Sequence, residues 1–290
     1  MKLQLSKIIS LILFSVILNQ LSYANLNKKD SIENSKSNEN FERAFTISLD
    51  YGSNQSYKGR KASDRQPYYI PNFTYQAPSG FFFYFAATNV TSVKGDTSES
   101  AKQANLYGID LLQFNPGYNF KIGKKTDASV SYSRYVVKDT SIINGNIKNN
   151  LDLYLNHDFG FINGKVILDY DFDFSSGEKD LSFGIEGYHS FNIDNIFTAD
   201  NDELSIIPSA LITTGTQNFY AVKKGRKGKG TTTSTTTFGI LAIDFTLPIS
   251  YNIGDFTIEP AINYTFPLSQ LPGEKTKPFG YFTVALSYDF

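Results

Sequence analysis

From Arg43 onward the chain repeats one unit, a run in which apolar and polar residues alternate with a period of two, followed by a polar break. Phe45, Ile47, Leu49 and Tyr51 alternate with Thr46, Ser48 and Asp50, and Tyr69, Pro71, Phe73 and Tyr75 with Ile70, Asn72 and Thr74. Ala128, Val130 and Tyr132 oppose Ser129, Ser131 and Ser133. Leu151, Leu153 and Leu155 oppose Asp152, Tyr154, Asn156 and Asp158. The cleanest run sets Val166, Leu168, Tyr170, Phe172 and Phe174 against Ile167, Asp169, Asp171 and Asp173. Successive side chains of a strand point to opposite faces, so each run predicts a β-strand with one greasy and one wet side.

The breaks carry turn chemistry. Ala77-Pro78-Ser79-Gly80 supplies the backbone angles of a tight turn, and Asn163-Gly164 is a hairpin signal. Long polar loops at 53–66, 94–104 and 221–237 alternate with mostly shorter turns. Between Leu111 and Phe114 the apolar parity switches, which predicts a bulge. The strand around Leu204–Tyr220 is less regular, and its facing does not follow from the pattern. The count comes to about twelve strands, an even number as a single-chain barrel requires.

The final run, Phe279–Phe290, organises the rest. Phe282, Val284, Leu286, Tyr288 and Phe290 share one face, with aromatics at its ends and aliphatics between them. Bilayers favour that order, rings at the interfaces and aliphatic groups in the middle. In lipid an open strand edge leaves backbone groups unsatisfied at several kcal/mol each, so the strands must close on themselves. An amphipathic last strand ending in Tyr288-Asp289-Phe290 resembles the C-terminal signature of bacterial outer-membrane β-barrels. That resemblance implies that Tyr288 and Phe290 serve as the assembly signal read by the barrel-assembly machinery, and it specifies a porin-like class rather than one activity.

Lys2 and Lys7 precede the apolar run Ile8–Leu18, which ends at Ser22-Tyr23-Ala24, the pattern of a secretory signal peptide over residues 1–24. The run is shorter than the roughly 20 apolar residues of a spanning helix. Residues 25–42 are rich in Asn, Ser, Lys and Glu and read as a disordered periplasmic tail. Residues 43–290 are assigned to the barrel. Short turns then lie on the periplasmic side with both termini, and long loops lie outside.

Composition narrows the chemistry. The 290 residues contain no Cys and no Trp but 25 Phe and 19 Tyr, which excludes disulfides, thiolate metal sites and a cysteine nucleophile. The net charge of −1 hides a partition. Lys58, Arg60, Lys61 and Arg65 lie in one long loop, and Lys223, Lys224, Arg226, Lys227 and Lys229 in another. These basic loops suit contact with anionic lipopolysaccharide or a surface partner; nothing beside them suits nucleic acid. The inward faces are acidic. Asp152, Asp169, Asp171, Asp173 and Glu186 form the expected selective wall, with Asp50, Asp158, Asp244, Glu259 and Asp289 on the same parity. Carboxylates two residues apart are about 7 Å apart and repel by about 2.4 kcal/mol at an effective dielectric constant of 20, so a hydrated lumen is expected. Lys121, Lys148 and Lys165 are among the few inward cations on strands.

Catalytic patterns are not recognisable. Barrels resembling outer-membrane phospholipase set a His and a Ser two residues apart, but His189 has Gly187 and Phe191 at those positions and His157 has Leu155 and Phe159. Omptin-like proteases pair Asp with His at the outer rim, whereas His157 and Asp158 point to opposite faces. A Ca²⁺ site at Asp169, Asp171 and Asp173 falls short of the ligand count that ion takes, so no metal or cofactor is assigned. The sequence therefore reads as an all-β, transmembrane, antiparallel up-and-down barrel of about twelve strands. Its first functional reading is a passive, narrow outer-membrane channel for small hydrophilic solutes, cationic ones preferred. The second is a closed structural or interaction barrel working through its basic loops, and the third a lipid-modifying enzyme. Oligomeric state does not follow from the sequence.

Overall fold

In a computed structural model, residues 41–61, 66–91, 109–137, 146–197, 202–220, 238–269 and 277–290 are described. The signal peptide, nearly all of the tail and the loop 221–237 lie outside the described residues. In chain order the strands are β1 (Ala44–Gly52), β2 (Ser56–Tyr57), β3 (Arg60–Lys61), β4 (Tyr68–Gln76), β5 (Phe81–Val90), β6 (Leu111–Lys121), β7 (Thr126–Val137) and β8 (Asn149–Asp158). They continue with β9 (Asn163–Phe172), β10 (Lys179–Tyr188), β11 (Phe191–Asp194), β12 (Asp202–Ile206), β13 (Ser209–Gly215), β14 (Gly239–Ile253), β15 (Phe256–Pro267) and β16 (Phe279–Asp289).

Neighbours in sequence pair antiparallel around a ring, and β1 pairs with β16 to close it. The closed barrel has twelve strands. Two of its staves are interrupted. β10 and β11 keep one register against β13 and β12, with His189 N–H donating to the Pro208 carbonyl between the segments. β12 and β13 likewise keep one register along β14. Pro208 has no N–H for the ladder, which accounts for the break and for the irregular sequence pattern there.

The bulge expected between Leu111 and Phe114 is absent. The pairings of β6 with β5 and β7 run through it without a shift. Leu111 is instead an apolar residue pointing inward, 1% exposed, so the parity change reflects what fills the interior rather than an extra residue. The register shift that does occur lies between Thr213 and Thr214 against β14.

Registers fix the facing of every strand. Phe290, Phe45, Phe73, Phe83, Phe85 and Phe114 make a run of ring contacts, with centroids 5.0–5.9 Å apart, across β16, β1, β4, β5 and β6. Leu151, Leu153 and Leu155 are exposed on the outside of β8, as are Leu247 and Ile249 on β14. An outer surface of this apolarity is solvated by lipid rather than water. The inner face is polar and hydrogen-bonded across strands. Gln113 donates to Ser133 at 3.1 Å, Asn119 to Gln76 at 2.7 Å, and Thr246 to Asn263 at 3.1 Å. The tight turn at 77–80 is closed by Gly80 at φ +99°, where an added Cβ would stand 2.2 Å from the Asn119 carbonyl oxygen, so only glycine fits. The turns at 77–80, 122–125, 159–162 and 254–255 lie at one rim, together with Phe41 and Phe290.

A lipid-facing assignment predicts a penalty for charge. Leu153→Arg, at the middle of β8, should cost about 2–4 kcal/mol in a bilayer. Reversible denaturant unfolding in lipid vesicles measures it, and unchanged stability would contradict the outward placement.

Candidate functional site

The segment after β1 does not stay outside. It folds across the lumen as a small hairpin in which β2 pairs with β3, Tyr57 opposite Arg60. Between them Lys58 and Gly59 both take positive φ, 46° and 83°, the combination a two-residue type I′ turn demands. The tip touches β14, where a Cβ on Gly59 would lie 2.8 Å from that of Ala242 and 3.0 Å from the Leu241 carbonyl oxygen. The base is tied to the last strand, Ser53 N–H donating to the Phe282 carbonyl at 2.9 Å.

Charge holds the hairpin in place. The Lys58 ammonium lies 2.8 Å from Asp171 Oδ2 and 3.6 Å from Asp169. The Tyr57 hydroxyl donates to the same Asp171 oxygen at 2.9 Å, and Asn150 donates to the other at 2.9 Å. Burial is the largest influence on the Lys58 ammonium and would lower its pKa, but Asp171 and then Asp169 outweigh it, so the group is raised above its ordinary value. Arg60 is buried and donates to Gln217 Oε1 from Nε at 3.1 Å and from Nη2 at 2.5 Å, and Gln217 passes the connection to the Ser269 carbonyl at 3.3 Å. Lys58 and Arg60 therefore are lumen residues, which corrects the expectation that they project outward as loop contacts. For Lys58 the reason is electrostatic, since the inward acids offer it more than water does. Lys61 is exposed, its ammonium 5.6 Å from the centre of the Phe279 ring. Arg65, Lys223, Lys224, Arg226, Lys227 and Lys229 lie outside the described residues.

The expected acidic wall is assembled in part. Asp152 and Asp169 are directly paired on β8 and β9, and Asp171 and Glu186 face inward on β9 and β10. Ser182 donates to Asp169 at 3.0 Å. Glu186 stands opposite Lys165, whose ammonium sits 4.6 Å from the centre of the Tyr154 ring. Asp173 does not belong to the wall. It lies past the end of β9 in a turn, accepting from the Ser175 N–H at 2.8 Å and the Ser175 hydroxyl at 2.7 Å, and those bonds hold its carboxyl below the usual range. Asp180, also inward, is committed to structure and accepts from the Asn218 and Phe219 N–H groups at 2.6 and 3.0 Å.

Two histidines lie away from these acids. His157 faces outward at the tight-turn rim, its Nδ1 2.7 Å from the Thr126 hydroxyl, and His189 packs edge-on against Phe191. Among the described residues no three His, Asp or Glu side chains are placed to hold a metal ion. Tyr288 and Phe290 point outward with their rings 4.8 Å apart. The Phe290 N–H donates to the Phe45 carbonyl at 2.9 Å, so the last residue is part of the closing seam.

By composition Ser53–Gln66 reads as an ordinary polar loop, which conceals the hairpin. The signal was present as Tyr57-Lys58-Gly59-Arg60, a two-residue turn between residues able to pair, with a glycine where φ must be positive.

No protein-family model and no curated protein matches the chain. Among solved structures, the NanC porin aligns at 10% identity with a TM-score of 0.48, covering 83% of this chain and 98% of that one. The KdgM porin aligns at 7% identity and 0.49, covering 84% and 99%. LpxR from Salmonella typhimurium aligns at 9% identity and 0.48, covering 84% and 99%. The closure and strand number are read from the pairings themselves.

Removing the ammonium while leaving its acids should be costly. Lys58→Met is expected to lower stability by about 3 kcal/mol, the usual scale for stripping one partner from a buried pair. Adding Asp171→Asn should recover a large part of it, which a double-mutant cycle on unfolding measures. Because the Lys58 value is raised, its contribution is present below the unfolded value and is lost as pH climbs through the folded one. The hairpin should accordingly resist proteolysis at neutral pH and loosen only in strongly alkaline solution.

Proposed function

We propose that the protein is an outer-membrane channel through which small hydrophilic solutes diffuse passively, cationic ones preferentially, with the inward hairpin as its constriction and both termini in the periplasm. The observation that carries this reading is the state of the lumen's polar groups. On adjoining strands the Ser48 hydroxyl, Asp50 Oδ1, the Thr74 and Thr88 hydroxyls and Gln113 Oε1 are all buried with no partner among the described residues. A dry plug selected to close the barrel would satisfy such atoms, since each one left bare costs about 1–3 kcal/mol. Water admitted as the lumen side chains move would satisfy them. Hydration and inward carboxylates together give a path that selects by size at the hairpin and by charge at the wall.

The location rests on the signal peptide, the lipid-facing belt and the terminal aromatic. The hairpin also favours a second reading, a barrel closed by its own loop whose remaining basic segments engage lipopolysaccharide or a surface partner.

Single-channel recording separates the two. The refolded mature chain in a planar bilayer under a salt gradient should give stable steps with a cation-selective reversal potential. Replacing residues 56–61 by a short Gly-Ser linker should enlarge the steps. Silence from both folded proteins would retire the channel in favour of the closed barrel.

A further inference from the structure

Inside this barrel an ammonium, carboxylates and a tyrosine ring come together twice. Lys58 sits against Asp171 and Asp169, with the Tyr57 ring centre 5.0 Å away. Lys165 sits opposite Glu186 and 4.6 Å from the Tyr154 ring centre. The sequence-predicted wall is thus occupied by the protein's own cations.

Carboxylates and tyrosine rings gather a third time, on β1 and β15 to either side of β16, with no Lys or Arg in ion-pair contact among the described residues. Asp50 on β1 and Glu259 on β15 both stand beside Ala285 of β16 in the register. Two strand steps separate their backbones by about 10 Å, and the residue between them contributes only a methyl group. Asp50 is 2% exposed. Its Oδ2 accepts from Asn72 at 3.4 Å, and its Oδ1 has no partner. The Ser48 hydroxyl, two residues back on the same inward face and 1% exposed, has none either. Glu259 accepts from the Ser250 hydroxyl.

Beside the acids is an apolar shelf. Ile70 pairs with Asp50 in the register and packs with Tyr84, Ala86 and Tyr68. Tyr68 crosses the face of Gly52, where any Cβ would stand 2.2 Å from its ring, so the glycine lets the ring lie flat against the wall near Asp50. A hydrated inorganic ion gains nothing from Ile70 and two tyrosine rings. An alkylammonium gains from all of it, its N–H groups meeting the bare acceptors, its charge the carboxylates and rings, and its stem the shelf.

We infer that Asp50, Glu259 and Ser48, with Tyr68, Ile70 and Tyr84, form a binding subsite for the ammonium end of a small organic amine. This deepens the channel reading and rests on it for access through the lumen, but binding can be measured without conduction. The probe is n-butylammonium chloride, titrated by saturation-transfer NMR against the refolded mature chain in zwitterionic detergent at constant ionic strength. Saturable binding is expected, with n-butanol inert and potassium a poor competitor. The double variant Asp50→Asn, Glu259→Gln should weaken it at least about tenfold, a loss of 1.4 kcal/mol. Ala285→Leu, which keeps both charges and fills the gap between them, should weaken it similarly and decides the matter if the double variant does not fold. Undiminished binding in either folded variant, or displacement by potassium as readily as by a second amine, overturns the subsite. A conducting barrel that binds no butylammonium retires the subsite alone. A silent barrel that binds it retires the channel and leaves the subsite standing.

Discussion

The structure depends on one constraint, that no backbone N–H or C=O may face hydrocarbon without a partner. A sheet can meet it only by having no edge. Here the condition is met by a single seam, the pairing of Thr46–Gly52 with Thr283–Asp289, reinforced by the Thr46 hydroxyl donating to Asp289 at 2.5 Å. Once the ring is closed, every strand has a fixed inside and outside. Asp50, Asp152 and Glu186 cannot leave the lumen without sending Tyr51, Leu153 and Ile185 out of the lipid.

Closure then sets the electrostatic problem. Inward acids gathered by the register repel one another, and the protein answers by different means. Lys165 supplies a strand-borne cation, while Lys58 and Arg60 are carried in from a loop. The inward hairpin is therefore explained by the same charges that define the interior, and its backbone cost is concentrated at Lys58, a non-glycine residue at φ +46°. Arg60 is anchored through Gln217, which links the hairpin to the segment after β13.

Much of this was legible in the sequence. Alternation placed the strands of the barrel, and it placed Asp152, Asp169, Asp171 and Glu186 on the inner face, because period-two patterning is a direct readout of facing. It failed where facing stopped being decided by polarity. Leu111 is apolar and inward, so it imitated a bulge. Pro208 splits one stave into two, so the run near Leu204 lost its rhythm. Asp173 kept the parity of its strand but lies past the strand's end. A further kind of failure is long-range. Nothing local to Lys58 says that Asp171, 113 residues away, will be its partner; only the closed ring brings them together.

That seam also sets an order of events. The hydrogen bond between Thr46 and Asp289 spans 243 positions, almost the whole barrel. Loop-closure entropy rises only with the logarithm of length, yet contacts this distant slow folding because little is gained until both ends meet. The remaining neighbouring pairs can form as hairpins while the chain is still open. The last strand cannot be replaced by any earlier one, so the sheet keeps two bare edges until its final residues arrive. A chain cut short by even one strand would remain an open template for pairing with other chains, and the first and last strands, so distant in the sequence, mature as a single element.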